Sequence, residues 1–216
     1  LASTTGDVSG YDLSGADLTN LDLIAVKFVG CNLKGANLGG SNMSMSDFGN
    51  ADLSGCNLSS SNFTGAIFRK TSLEKSDLTF SSFTGSDFFE SNLKGADFTN
   101  SRLSSANFQK ADLSETNLRM TEAALIKCGA AIMQNINAYG ASMTGADFSG
   151  ADLRGAKLHG TDLSGANLSS ADLRGAEIIE VSFIGANLTG ADTGGAAIRH
   201  ADMTRAIPGD TKKADT

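Results

Sequence analysis

Aspartates at 152, 172 and 192 recur every twenty residues, with Asp12, Asp52 and Asp112 in the same register. Paired carboxylates can serve as general acid and base. These repeat with the whole chain, however, and Arg154 and Arg174 flank the upper three, so the expectation is a solvated, partly neutralised face. His159 and His200 occupy outward slots of different repeats. At ~4.8 Å per strand spacing they are expected ~10 Å apart, too far to share a metal with ~2 Å bonds. Cys31, Cys56 and Cys128 are odd in number and lack CxxC spacing, which excludes a disulfide scaffold or thiolate zinc site; all three read as buried, inert thiols. Asn-x-Ser/Thr triplets at Asn42, Asn57, Asn62, Asn167 and Asn187 are generated by the repeat and carry no glycosylation signal. Catalysis needs convergent groups in a concavity. None is expected here: no enzyme, no catalytic residue, no cofactor and no metal. A calcium-binding β-roll is no better favoured than an enzyme, because the glycine–aspartate spacing is five residues rather than the nine of that repeat.

The element that positions all these residues has a period of five. From Leu13 to Met203, thirty-nine positions five apart carry Leu, Phe, Met or Ile, except Ala123, Cys128, Ala138 and Thr193. Two residues before each is a second column, mostly Ala, Ser, Thr or Cys, with Asp or Asn often between the two. Five is neither a helical nor a strand period. Small–polar–large–polar–Gly places two inward side chains on a short strand and then turns a corner. Gly15, Asn20, Gly35 and Gly40 tolerate the positive φ of position i+2 in a type II turn. Every fourth member of the large column reads Phe28, Phe48, Phe68, Phe88, Phe108, Cys128, Phe148, so like stacks on like every twenty residues. The expected fold is all-β: a square parallel β-solenoid of about ten coils of four pentapeptides, roughly 45 Å long.

These residues resemble the pentapeptide-repeat family over 11–205, with a start near Gly6-Asp7-Val8. The resemblance implies a right-handed quadrilateral β-helix and, for most members, no defined activity. Some members of the family resemble double-stranded DNA and bind DNA gyrase, protecting it from quinolones. Residues 1–10 are expected to be a lead-in to the first coil, 11–205 the solenoid, and 206–216 a disordered tail after Pro208. Within 121–140 the large and small slots exchange at Ile126/Cys128 and Ile136/Ala138. This irregular stretch has the length of one coil, and a repacked coil is favoured over a short helix through Glu122–Met133.

Composition narrows the role. Seventeen basic against 24 acidic residues give a net charge of −7, which argues against direct nucleic-acid or membrane binding. A DNA-mimicking gyrase binder is the alternative reading. Its weakness is the neutral middle: residues 67–146 carry eight acids and eight bases. The leading reading is a non-enzymatic structural or protein-interaction rod whose partner is another protein. Outward apolar residues that the motif does not require, Phe80, Met120, Leu125, Ile132 and Tyr139, form the candidate patch; Phe89 lies on a different face. Open end coils invite weak end-to-end homo-oligomers. Reduced-looking cysteines favour the cytoplasm, while a start other than Met leaves a processed, exported or lumenal chain open.

Overall fold

The computed structural model describes residues 6–209. Parallel bridges join each polar strand residue to the one twenty positions later, from Asp7 with Lys27 to Asn187 with Ile207, without a slip in register. Among the described residues only β1 (Glu177–Ile179) and β2 (Ala197–Arg199) are long enough to be strands, and they pair in the same register. No helix occurs among the described residues. Four flat faces follow, numbered in chain order. Face 1 is centred on Phe28, Phe48 and Phe68, face 2 on Leu33, Leu53 and Leu73, face 3 on Leu38, Leu58 and Leu78, and face 4 on Met43, Phe63 and Phe83. The next coil then returns to face 1.

Hydrogen bonds run along the rod. In each repeat the large residue donates upward and the polar residue downward, as Leu33 N–H to the Asp52 carbonyl (2.8 Å) and Asn32 N–H to the Tyr11 carbonyl (3.1 Å). The main chain is thereby satisfied without long strands. At each corner one residue in five has a positive φ, from Gly10 to Arg205. Ala16 N–H donates back to the Leu13 carbonyl at 3.0 Å across Gly15 (φ 65°). Because Ser14 has no positive φ, this is the type II corner that the sequence calls for. The motif's Asp and Asn have a local task too. Asp47 Oδ1 accepts from Gly49 N–H at 2.9 Å, and Asp12 Oδ1 from Ser14 N–H at 3.0 Å. These Asx turns fold the chain into its corner.

The core is built from stacked columns. Phe28, Phe48, Phe68, Phe88 and Phe108 stack with ring centroids 4.7–4.9 Å apart and planes within 5°. The face 4 rings of Phe63 and Phe83 meet that column edge-on or tilted at 5.6–6.0 Å. Both geometries suit the ring quadrupole.

Residues 121–140, where a repacked coil is favoured over a helix, keep the backbone of their neighbours. Glu122 bridges Arg102 and Ser142, and Lys127 bridges Asn107 and Asp147. Ile126, Cys128, Ile136 and Ala138 are all buried. The exchange is confined to side chains.

At the ends the shaft opens. Leu13, Leu18 and Leu23 are only half-buried at one end. At the other, Ile207 still pairs with Asn187, so the coil runs past the boundary expected at 205. A cavity of about 70 Å³ lies there, lined by Phe183, Leu188, Thr193, Met203 and Pro208. Residues 1–5 of the expected lead-in and 210–216 of the expected tail lie outside the described residues.

Candidate interaction surface

Three of the five candidate residues share one edge. Phe80 and Met120 occupy the positive-φ position of the corner between faces 3 and 4, and Tyr139 the position before it. They are 64%, 54% and 47% exposed. A glycine twenty residues on provides the seat for Met120: a Cβ on Gly140 would lie 2.7 Å from its Sδ. The guanidinium of Arg119 lies 4.8 Å above the Tyr139 ring, and the His159 ring is 6.3 Å away on the other side. His159 Nε2 is 2.7 Å from Glu177 Oε2. Arg119, Tyr139 and His159 occupy one column, so the solenoid's rise stacks a cation, an aromatic ring and an imidazole along the axis.

Below this ladder the same edge is hollow. Gly40 and Ser60 are small where Phe80 is large, which leaves an open groove of about 600 Å³ lined by Asn42, Asn62, Ser82, Phe80, Asn100 and Arg102. Buried serines hold its floor: Ser61 Oγ donates to the Leu38 carbonyl at 2.9 Å and accepts from Ser41 N–H at 3.2 Å. Ser81 repeats this with the Leu58 carbonyl and Ser61 N–H.

The other two candidates are elsewhere. Leu125 lies on the corner between faces 4 and 1, folded over Gly145. Ile132 is in the middle of face 2, bridged to Asp112 and Asp152 and opposite face 4. Phe89 projects from the corner between faces 1 and 2, with Lys110 Nζ 5.4 Å from its ring centroid. Sequence reading missed Arg102, Arg119, His159 and Glu177 as parts of the edge. Their positions modulo twenty carry that signal.

The upper aspartates of face 2, Asp152, Asp172 and Asp192, are met by Arg154 and Arg174. Arg154 binds Asp152 through Nε (2.8 Å) and Nη2 (2.7 Å), and Arg174 binds Asp172 at 2.9 and 2.6 Å. Each guanidinium also approaches the next aspartate, at 3.6 and 3.8 Å. The hydrogen bonds from Arg154, aided by one from Gln134, hold the Asp152 carboxyl down to about 2. Ionised, paired carboxylates of this kind cannot hold a proton near neutrality for acid catalysis. Burial pushes the Cys56 thiol up to about 11 and raises Cys128 further, so neither supplies a thiolate. Among the described residues no three His, Cys, Asp or Glu converge as metal ligands, and no helix is long and apolar enough to cross a membrane.

Comparison with known proteins places this geometry. The family described as pentapeptide repeats matches residues 9–44, 41–79, 81–119, 131–169 and 166–205. The gap at 120–130 covers Ala123 and Cys128. Among solved structures, HetL, a pentapeptide repeat protein involved in heterocyst differentiation regulation from the cyanobacterium Nostoc sp. strain PCC 7120, is 28% identical. The match covers 95% of this chain and 92% of HetL with a TM-score of 0.93. Rfr23 from the cyanobacterium Cyanothece 51142 is 22% identical over 54% of this chain and 86% of its own, with a TM-score of 0.41. Full-length QnrB1, a plasmid-mediated fluoroquinolone resistance protein, is 24% identical over 95% and 94%, with a TM-score of 0.32. No curated protein sequence matches the chain.

Proposed function

The chain belongs to the pentapeptide-repeat family, and on that footing we propose that it is a non-catalytic protein-interaction rod that docks a partner along the edge between faces 3 and 4. The observation that carries this reading is the alignment of exposed Phe80, Met120 and Tyr139 on one edge of a hydrogen-bonded coil. Aromatic residues, methionine and arginine are the types enriched at interface cores, and a rigid support spares a partner the entropy of ordering them. Likeness to HetL, a pentapeptide repeat protein involved in heterocyst differentiation regulation, supports a regulatory rather than a catalytic setting for the rod. The DNA-mimicking alternative finds no support in the charge. A phosphate-like surface needs dense negative charge, yet residues 67–146 carry eight acids and eight bases, and Arg154 and Arg174 pair with Asp152 and Asp172 on face 2.

The test is a pull-down from the source cells with the wild-type rod and with a variant carrying Phe80→Ala, Met120→Ala and Tyr139→Ala. A partner held by the first and lost by the second, with unchanged thermal unfolding, is expected. Equal capture by both, or turnover of a substrate by the purified rod, would sink the proposal. Inhibition of gyrase supercoiling would favour the alternative instead.

A further inference from the structure

We infer that the groove beside Phe80 receives an extended, acidic peptide segment of a partner protein. The inference rests on the interaction reading above and names the chemistry of what docks. The main chain of face 4 is already paired along the rod, as Asn62 N–H to the Ser41 carbonyl (2.9 Å) and Phe63 N–H to the Ser82 carbonyl (2.7 Å). An incoming segment therefore cannot add as a strand; side chains must hold it. The groove offers the amide of Asn100 and the second amide hydrogens of Asn42 and Asn62, whose first ones go to Asp22 Oδ1 and Asn42 Oδ1, both at 3.1 Å. These neutral groups can donate to an extended backbone, and the Asn100 amide can also accept from it.

Charge selects the sign of the segment. Arg69, Arg154 and Arg174 each bind an aspartate of this chain. Arg102, in the groove wall, has no carboxylate within 4 Å among the described residues, although Glu122 is its bridge partner one coil up. Arg119 stacks on Tyr139 and likewise has no carboxylate within that distance. Arg102 on face 4 and Arg119 on the adjoining corner of an acidic protein are thus left for carboxylates from outside, where bidentate pairing adds direction as well as attraction.

Spacing selects its pattern. Phe80 and Met120 are two coils apart on the same corner, or ~10 Å at ~4.8 Å per coil. A segment in the extended polyproline II conformation advances ~3.1 Å per residue with three residues per turn, so apolar residues three apart lie on one side and reach both anchors. The segment carries such a pair with Asp or Glu beside it.

A library of random peptides displayed on phage and selected on the full chain tests this. Enrichment of acidic peptides with two apolar residues three apart is expected. A synthetic peptide of the enriched sequence should bind less tightly in high salt. Arg102→Ala should weaken it about ten-fold, the scale of one lost charge-assisted hydrogen bond, and Arg102→Lys should weaken it less. Phe80→Ala should weaken it as well, and both sites are exposed, so thermal unfolding checks that the rod is intact. No enrichment, enrichment of basic or uncharged peptides, or binding indifferent to Arg102→Ala and Phe80→Ala overturns the inference. If a cellular partner is still lost on replacing Phe80, Met120 and Tyr139, the interaction role survives and the acidic segment alone is discarded.

Discussion

The coils from Phe28 to Phe108 and the coil at 121–140 share a backbone but not a core. In the first, one large ring per repeat of face 1 stacks on its equals at 4.7–4.9 Å. In the second, Cys128 stands in the ring's place and Ile126 in the small slot before it, and Ala138 and Ile136 repeat the exchange on face 3. The hydrogen bonds do not register the change: Cys128 N–H reaches the Asp147 carbonyl as Phe108 N–H reaches that of Lys127. The lesson is that at 126/128 and 136/138 the shaft reads the summed volume of the inward pair more tightly than the residue at each position. Dense packing demands this, since voids and overlaps both cost stability.

Removing a ring from the stacked region should have the largest effect. Phe68→Ala leaves a cavity between two rings and is expected to cost about 3–5 kcal/mol in denaturant unfolding. A loss below ~1 kcal/mol would mean that the coils collapse around the void and that the ring column is not the source of stability. Next in size is a cycle in the exchanged coil. Cys128→Phe alone overfills a repeat that already holds Ile126 and should cost about 1–3 kcal/mol. Ile126→Ala alone should cost about 2–5 kcal/mol. Together they restore the ordinary pattern, so the double variant should be more stable than the sum of the singles implies. Additive losses would show that position, not layer volume, is what the shaft reads.

Smaller effects belong to the corners. Leu125 has a φ of 59°, a conformation that costs an L residue about 1–2 kcal/mol. Its side chain is 60% exposed, so Leu125→Gly is expected to stabilise the fold by up to ~1 kcal/mol, and a clear loss would mean that its contact over Gly145 matters more than backbone strain. Smallest is the effect of acid on face 2. The folded pKa of Asp152 is depressed to about 2 by Arg154. Its contribution to stability is therefore present above the ordinary carboxylate range and is lost as pH falls toward 2. Carboxyl titration followed by NMR should place its midpoint below that of an ordinary aspartate, and Arg154→Ala should move it up. An unmoved midpoint would assign the depression to Gln134 and the backbone.

Much of this was legible in the residues because a solenoid maps chain position almost linearly onto space. Leu13, Leu33 and Leu53 share a face because they are twenty apart, and the 121–140 exchange preserved register because it preserved length. The same arithmetic separates Ile132, in the middle of face 2, from Met120 on the far corner. It does not reveal rotamers. Whether Arg119 turns toward Tyr139 or toward a carboxylate, and whether Arg154 grips Asp152 in a fork, depends on side-chain torsions that the five-residue pattern leaves free.

Period, register and the inward columns were thus set by the chain alone, since apolar burial and glycine-tolerant corners repeat locally and admit one closure. Which outward groups meet was decided only when the coils stacked. Side chains five apart in sequence point to different sides of the square, whereas those twenty apart become neighbours. The groove beside Phe80 and the Arg119–Tyr139–His159 ladder exist only in that second order of proximity.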